Sequence, residues 1–328
     1  MNNVLWIYII FSIVYKQEGR RMKEKREVIY IGNNFVESSY KCSPTEKKIL
    51  NMAILYTNRS SFPAKPNPHH TYFVNMEKND IYYLTGLDTK KDFTQIKNAC
   101  KALNEKVLMI EDSVTKKFKT SSFITQTELN KGVLTLGFYG TVVPFFNKLK
   151  ERFTSYDLLQ TKNFMGKYTI RFYELIKQYE SIGKRTVLIA DLRKMFQLEN
   201  RYTTYSDLRR KVIEPAQKEL KEKSDLYFEL KQNTEKRKAV SVTLTIKLNA
   251  KHIDKKYYLK RVNDYLANQS VNDFYDDLRK YYHEHQESLS ISEKQAINNF
   301  IFTKPDPKAL SESLLYHFFQ WYEPSLGL

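Results

Sequence analysis

The chain has 328 residues, 41% of them hydrophobic and 14% aromatic, which is enough to bury more than one core and excludes disorder along its whole length. Its formal net charge of +17 favours polyanionic partners, nucleic acid foremost. Two cysteines, Cys42 and Cys100, lie far apart with no CxxC spacing, which excludes a disulfide framework and a cysteine-built zinc site and fits a reducing, cytoplasmic setting.

The charge is unevenly placed. From Lys251 onward, 10 Lys/Arg face 11 Asp/Glu for a net of −1, so residues 1–248 hold +18. The last 80 residues read as a segment with a different purpose.

An apolar run at residues 4–15 is too short to span a bilayer as a helix. It has no basic stretch before it and no small-residue cleavage site after it, so it fits a secretory signal poorly. Residues 1–29 form an N-terminal segment in which Met22 opens the stretch MKEKREVIY; translation is expected to begin there, with the first 21 residues as upstream sequence. Ser43, Pro44, Thr45 and Glu46 have the form of a capping box with proline at the first helical position. The helix they open has apolar positions Ile49, Leu50, Ala53 and Ile54. A proline-rich break at 62–70 precedes a short helix over 80–84 that ends at Gly86. The next helix, from Asp92, carries the stripe Phe93, Ile96, Ala99, Cys100 and Leu103. Both cysteines fall among apolar positions and are expected as buried thiols. Strand-like runs at 107–110, 122–127 and 133–138 close this first α/β unit.

A second unit repeats the plan. Phe172, Leu175, Ile176 and Tyr179 give a helical stripe running to Gly183. A strand over 186–189 and a short helix over 191–196 follow, then a long helix over 205–223 with Leu208, Val212, Ala216 and Leu220 on one face. Two alternating strands end the unit, the first carrying Leu226, Phe228 and Leu230, the second Val240, Val242, Leu244, Ile246 and Leu248. A basic turn over 231–238 lies between them. Helix, strand, two helices and a hairpin is the order of a winged helix. The tail from residue 249 is helical, with the strongest stretches at 273–284 and 310–321 and a Lys304, Pro305, Asp306, Pro307 linker between them.

The chemistry concentrates on the long helix. With Leu208 at 0° and about 100° per residue, the buried stripe centres near 80°. Asp207, Arg210, Lys211, Glu214, Lys218 and Lys221 fall on the opposite face. Arg209 falls against the stripe and would have to snorkel. Pro215 removes a helical hydrogen bond and should bend the helix. An α-helix fits the major groove, and its N-terminal residues reach base edges first. Arg210 and Lys211 are therefore the expected base readers, with Ser206 and Asp207 secondary. Arg201, Tyr202, Thr203 and Thr204 in the preceding turn can hydrogen-bond phosphate, and Lys236, Arg237 and Lys238 on the wing can touch backbone. Arg209, Tyr205 and Lys218 complete the candidate DNA-binding set.

No catalytic, metal or cofactor site is expected. His283, Glu284 and His285 resemble the paired histidines of metal-dependent nicking enzymes, but at i and i+2 of a helix the two imidazoles would not face each other. His69 and His70 lie in the proline-rich break. Gly166-Lys167 and Gly183-Lys184 lack the upstream glycine of a phosphate-binding loop.

The stretches KYTIRFYELIKQY at 167–179, 191–230 from DLRKMF to LYFEL, and VTLTI at 242–246 closely resemble the second winged-helix domain of theta-type, iteron-binding plasmid replication initiators, the Rep family. Residues 31–51 and 142–158 resemble, more loosely, the opening of that family and the join between its domains. The resemblance implies an α+β fold of two tandem winged-helix domains. The first, at 30–150, would serve dimerisation and backbone contact. The second, at 151–248, would read duplex DNA, and a helical extension at 249–328 has no implied role. It further implies that the chain binds direct repeats at a bacterial plasmid origin, opens it, and recruits a host initiator or helicase. A homodimer would repress its own gene or couple origins. The residue reading leaves two alternatives: a winged-helix repressor binding an operator, and a nicking enzyme.

Overall fold

The structure, a computed structural model, describes residues 27–88, 92–112, 117–147, 152–253 and 255–325. The expected start at Met22 lies outside them. The chain divides into two compact units between Asn163 and Phe164.

In the first unit, β1 (Val28–Gly32) pairs antiparallel with β7 (Phe153–Asp157), Val28 opposite Asp157 and Gly32 opposite Phe153. This pairing carries the first unit past the expected join at 150/151, because a strand supplied from so far downstream must stay with its partner. The short α1 (Asn33–Val36) leads to α2 (Pro44–Arg59). The expected capping box forms at α2: Glu46 N–H donates to Ser43 Oγ at 3.3 Å, and Ser43 N–H donates to Glu46 Oε2 at 3.0 Å. Ile49, Leu50, Ala53 and Ile54 are all fully buried.

β2 (Thr71–Glu77) leads into α3 (Lys78–Thr85), which ends at Gly86 in the left-handed conformation that a side chain would disfavour. α4 (Phe93–Asn104) buries Ile96, Ala99, Cys100 and Leu103, but Phe93 is 49% exposed because the helix meets the core only from Ile96 onward. β3 (Val107–Asp112) and β4 (Lys117–Ser122) form a hairpin. The strand expected over 122–127 is in fact the end of β4 and the start of β5 (Ile124–Asn130), with fully buried Phe123 at the corner between them. β6 (Val133–Tyr139) completes a sheet of order β2-β6-β5.

The second unit begins with α5 (Thr169–Lys177), β8 (Lys184–Leu188) and α6 (Ile189–Met195). After a turn come α7 (Tyr205–Leu208), a π turn (Arg209–Ile213) and α8 (Glu214–Lys223). β9 (Leu226–Glu235) and β10 (Lys238–Leu248) then form the wing, in a sheet of order β8-β10-β9. The expected eight-residue turn is only Lys236–Arg237. β9 continues through Glu235 because it stays paired with β10 there, Asn233 opposite Ser241 and Glu235 opposite Lys238, although both faces are polar.

The tail holds α9 (Lys255–Asn268), α10 (Val271–His285), α11 (Ile291–Thr303) and α12 (Glu312–Ser325). They share an aromatic core that includes Tyr258, Tyr265, Phe274, Tyr281 and Phe318. The linker at 304–307 joins α11 to α12. Among the described residues, no helix is long and apolar enough to cross a membrane.

Candidate nucleic-acid interface

The helix over 205–223 begins at Thr204, whose hydroxyl oxygen accepts from Asp207 N–H at 3.1 Å. That hydroxyl also donates to Asp207 Oδ2 at 3.1 Å. The capping hydroxyl is thus engaged inside the protein and is not free for phosphate as the sequence suggested.

Five residues on, the helix loosens. Glu214 N–H donates to Arg209 O, a π-type step, and Pro215 follows directly. In an unbroken α-helix the proline ring would press on the Lys211 carbonyl and leave it without a donor. The wider turn makes room for the ring, so the expected distortion takes the form of a local π turn.

The wider turn takes up one extra residue between Arg209 and Ile213 while Leu208 before it and Ala216 after it stay buried. Val212 and Ile213 are consequently both fully buried. Arg209 swings outward, its side chain 50% exposed and its Nε 2.8 Å from Glu214 Oε1. The wheel's placement of Arg209 against the buried stripe is therefore corrected.

Arg210 and Lys211 are exposed, at 69% and 52% of their side chains, as the wheel expected. Both turn toward Asp207: Arg210 Nη2 lies 2.9 Å and Lys211 Nζ 3.6 Å from Oδ1. The Thr204 hydroxyl, with these two cations, holds the Asp207 carboxyl below its usual range. Ser206 is exposed beside them, and Lys218 is exposed further along, 4.0 Å from Glu222. Tyr205 is different. Its hydroxyl is buried, so in this arrangement it cannot donate to an outside partner. Burial, above all, raises the pKa of that phenol.

In the preceding turn Arg201, Thr203 and Thr204 are exposed. Tyr202 takes a left-handed conformation at φ 52° and lies under Lys211, whose Nζ is 5.7 Å from the ring centre. The turn is tied from behind by Arg193 on α6. Its Nη1 donates to Arg201 O at 2.7 Å, and its Nη2 donates to Thr203 O and Thr204 O at 3.1 and 3.3 Å. No local pattern marks Arg193, because its partners are carbonyls 8 to 11 residues away.

Glu219 is a second residue that the sequence did not single out. Its carboxylate accepts from the N–H groups of Met165 and Gly166, both at 2.8 Å, from Thr169 Oγ1 at 2.6 Å and from Lys223 Nζ at 2.8 Å. This anchors the long helix to the loop before α5. A Cβ at Gly166 would sit 2.6 Å from Glu219 Oε2, so glycine is required for that approach. Burial of Glu219 works to raise its pKa, but the four hydrogen bonds outweigh it and leave the carboxyl below its ordinary value.

At the wing, Lys236 and Arg237 have φ of 47° and 68°, the two positive values of a type I′ turn. Asn-Gly is the usual occupant, because other side chains are strained there. Here the strained positions carry two exposed cations, with Lys238 exposed beside them. One residue bulges from β10 between Ala239 and Ser241. Asn233 Nδ2 pins this irregularity by donating to Ser241 Oγ and Thr243 Oγ1, both at 3.0 Å.

Between α8 and β9 runs an open groove of mixed charge, lined by Arg210, Lys218 and Lys221 together with Glu214, Glu229 and Tyr227. Lys221 Nζ lies 5.5 Å from the Tyr227 ring centre. The second unit thus carries a basic helix face and a basic wing tip, with a groove of mixed charge beside the helix. In the first unit, Lys97 and Lys101 are exposed on α4. His283 and His285 lie on α10, and His285 stacks on Tyr281. Among the described residues, no group of three or more His, Cys, Asp or Glu is placed to hold a metal ion.

Residues 28–177 match the family model described as Initiator Replication protein, WH1, and residues 188–246 match Initiator Rep protein, WH2. A replication initiation protein of Escherichia coli is 22% identical over 205 residues, which cover 61% of this chain and 63% of that protein's length. Among solved structures, the crystal structure of Pi initiator protein in complex with iteron DNA matches with a TM-score of 0.54 at 16% identity, over 67% of this chain and 97% of that one. The two winged-helix domains expected from sequence are the fold.

Proposed function

This chain belongs to the initiator Rep protein family, and from that premise we propose that it binds repeated origin sequences, iterons, in duplex DNA and so starts plasmid replication in the bacterial cytoplasm. The observation that carries the reading is the convergence, on one unit, of the exposed Arg210 and Lys211 with the cationic wing tip. The helix enters the major groove, where Arg210 donates two parallel hydrogen bonds to guanine O6 and N7. Lys211 and Ser206 reach neighbouring edges. Arg201, Tyr202 and Thr203 in the turn, and Lys236, Arg237 and Lys238 on the wing, grip phosphate and supply affinity without sequence information. Binding energy, with no covalent chemistry, drives distortion of the adjacent AT-rich DNA. The first unit supports a homodimer and contacts backbone, and the bound assembly recruits a host initiator or helicase.

The test compares Arg210→Ala with the parent on a duplex carrying the repeats that flank the gene and on random duplex. Discrimination falls by about 1–3 kcal/mol for the repeat, and far less is lost on random DNA. Equal losses on both would make Arg210 a phosphate contact. Protection of a single inverted repeat over a promoter, with no direct array, would replace the initiator with a repressor.

A further inference from the structure

Asp225 stands at the root of the wing, directly after the long helix ends and before β9 begins. Its carboxylate is almost fully buried and lies 3.1 Å from Lys177 Nζ, at the end of α5. Tyr173 donates to Asp225 Oδ1 at 2.9 Å, and Lys177 also meets Glu180 at 3.0 Å. The last member of this cluster comes from the extension. The hydroxyl of Tyr316 on α12 accepts from Lys177 Nζ and donates to Glu180 Oε1 at 2.5 Å, with Asp225 Oδ2 at 3.3 Å. Tyr316 is 2% exposed and its phenol is fully buried among carboxylates, so it stays protonated and keeps its donor.

A second tie lies alongside. Asn249, where the extension begins, donates its N–H to Asp225 O at 2.7 Å and its Nδ2 to Lys221 O at 2.9 Å. The end of the recognition helix, the root of the wing and the end of α5 are thus fastened at one point, with the extension as its lid. Charge-assisted hydrogen bonds strengthen when water is excluded, and Tyr316 with its neighbour Tyr258 excludes it here. Both family matches stop short of this segment, at residues 177 and 246.

We propose that the extension braces the DNA-reading unit: Tyr316 closes a buried charge cluster at the wing root and holds the recognition helix and wing in their reading geometry. Tyr316 is a positioning residue that acts through Lys177, Glu180 and Asp225. The brace rests on the proposed DNA reading only for its consequence in binding.

The test uses full-length Tyr316→Phe, which removes one oxygen and keeps the ring, with Glu180→Gln as a milder second variant. Amide hydrogen exchange at 220–228 and 247–249 is expected to quicken about tenfold in Tyr316→Phe and less in Glu180→Gln. Affinity for the origin-repeat duplex should drop several-fold, with a smaller drop on random duplex of equal length. Exchange changes confined to 253–322, with both affinities unchanged, would overturn the brace and make the extension an independent module. If the parent chain shows no preference for the repeats, the functional reading fails, while the exchange pattern still decides the brace.

Discussion

Replacing Arg193 tests how far the reading helix depends on support from behind. Arg193→Met keeps the apolar stem and removes the guanidinium that donates to the carbonyls of Arg201, Thr203 and Thr204 at 2.7, 3.1 and 3.3 Å. Hydrogen bonds to a charged donor contribute about 1.5–3 kcal/mol each when sheltered. These three are worth less. Two share one nitrogen, the longest is weak, and water reaches the carbonyls once the arginine is gone. A net loss of about 1–2 kcal/mol for the ordered turn is the expectation. If that loss lowers the competent population about tenfold, affinity for the repeat falls by the same factor. Fluorescence anisotropy across a salt series separates this from a simple loss of charge. Arg193→Lys keeps the charge but lacks the planar fork that spans three carbonyls. On the positioning account Lys fails to restore affinity, and the salt slope stays at the parent value. Full rescue by Lys, with a slope reduced only in the Met variant, would refute the reasoning and make Arg193 a phosphate contact.

Two further perturbations follow from the same unit. Lys236→Asn with Arg237→Gly installs the pair that a type I′ turn prefers, so stability measured by denaturant unfolding should rise by at most about 1–2 kcal/mol per relieved position. The same double variant should flatten the plot of log affinity against log salt by about 0.9 for each phosphate it no longer neutralises, and an unchanged slope would remove the wing tip from the interface. Glu219 has a lowered folded-state pKa, so its contribution to stability is full above the ordinary carboxylate value and is lost as pH falls through the lowered one. Glu219→Gln should therefore be destabilised near neutrality and show a shallower loss below about pH 4.5, read by denaturant unfolding at each pH.

What the sequence made legible was local. The capping box at Ser43 and Glu46 and the left-handed stop at Gly86 are written within a few neighbouring residues, and both formed. So did the buried stripe of Leu208, Val212, Ala216 and Leu220. The join between the units was misplaced, since β7 takes its partner from the start of the chain and no local pattern encodes that choice. The wing turn was drawn too long because the polar run over 231–238 has no apolar face to announce a strand, and only its pairing with β10 makes one. The rotation of Arg209 was missed for a different reason. A fixed angle per residue cannot foresee a π turn, although Pro215 marked where the ladder had to give.

That π turn bears on how the proposed reader discriminates. It sets Arg209 against Glu214 and leaves Arg210 and Lys211 sharing Asp207, so each reading cation begins in an exposed ion pair. Such pairs are weak in water and are given up readily for a better partner. A guanine edge offers the fork of Arg210 two matched acceptors, and the exchange is favourable. A step without that edge offers nothing matched, and Arg210 stays with Asp207. Asp207 is itself held by two hydrogen bonds with the Thr204 hydroxyl, so it remains in place while this choice is made. On the proposed reading, Asp207 competes with the DNA for the two cations, and a matched guanine edge competes with it better than a mismatched step.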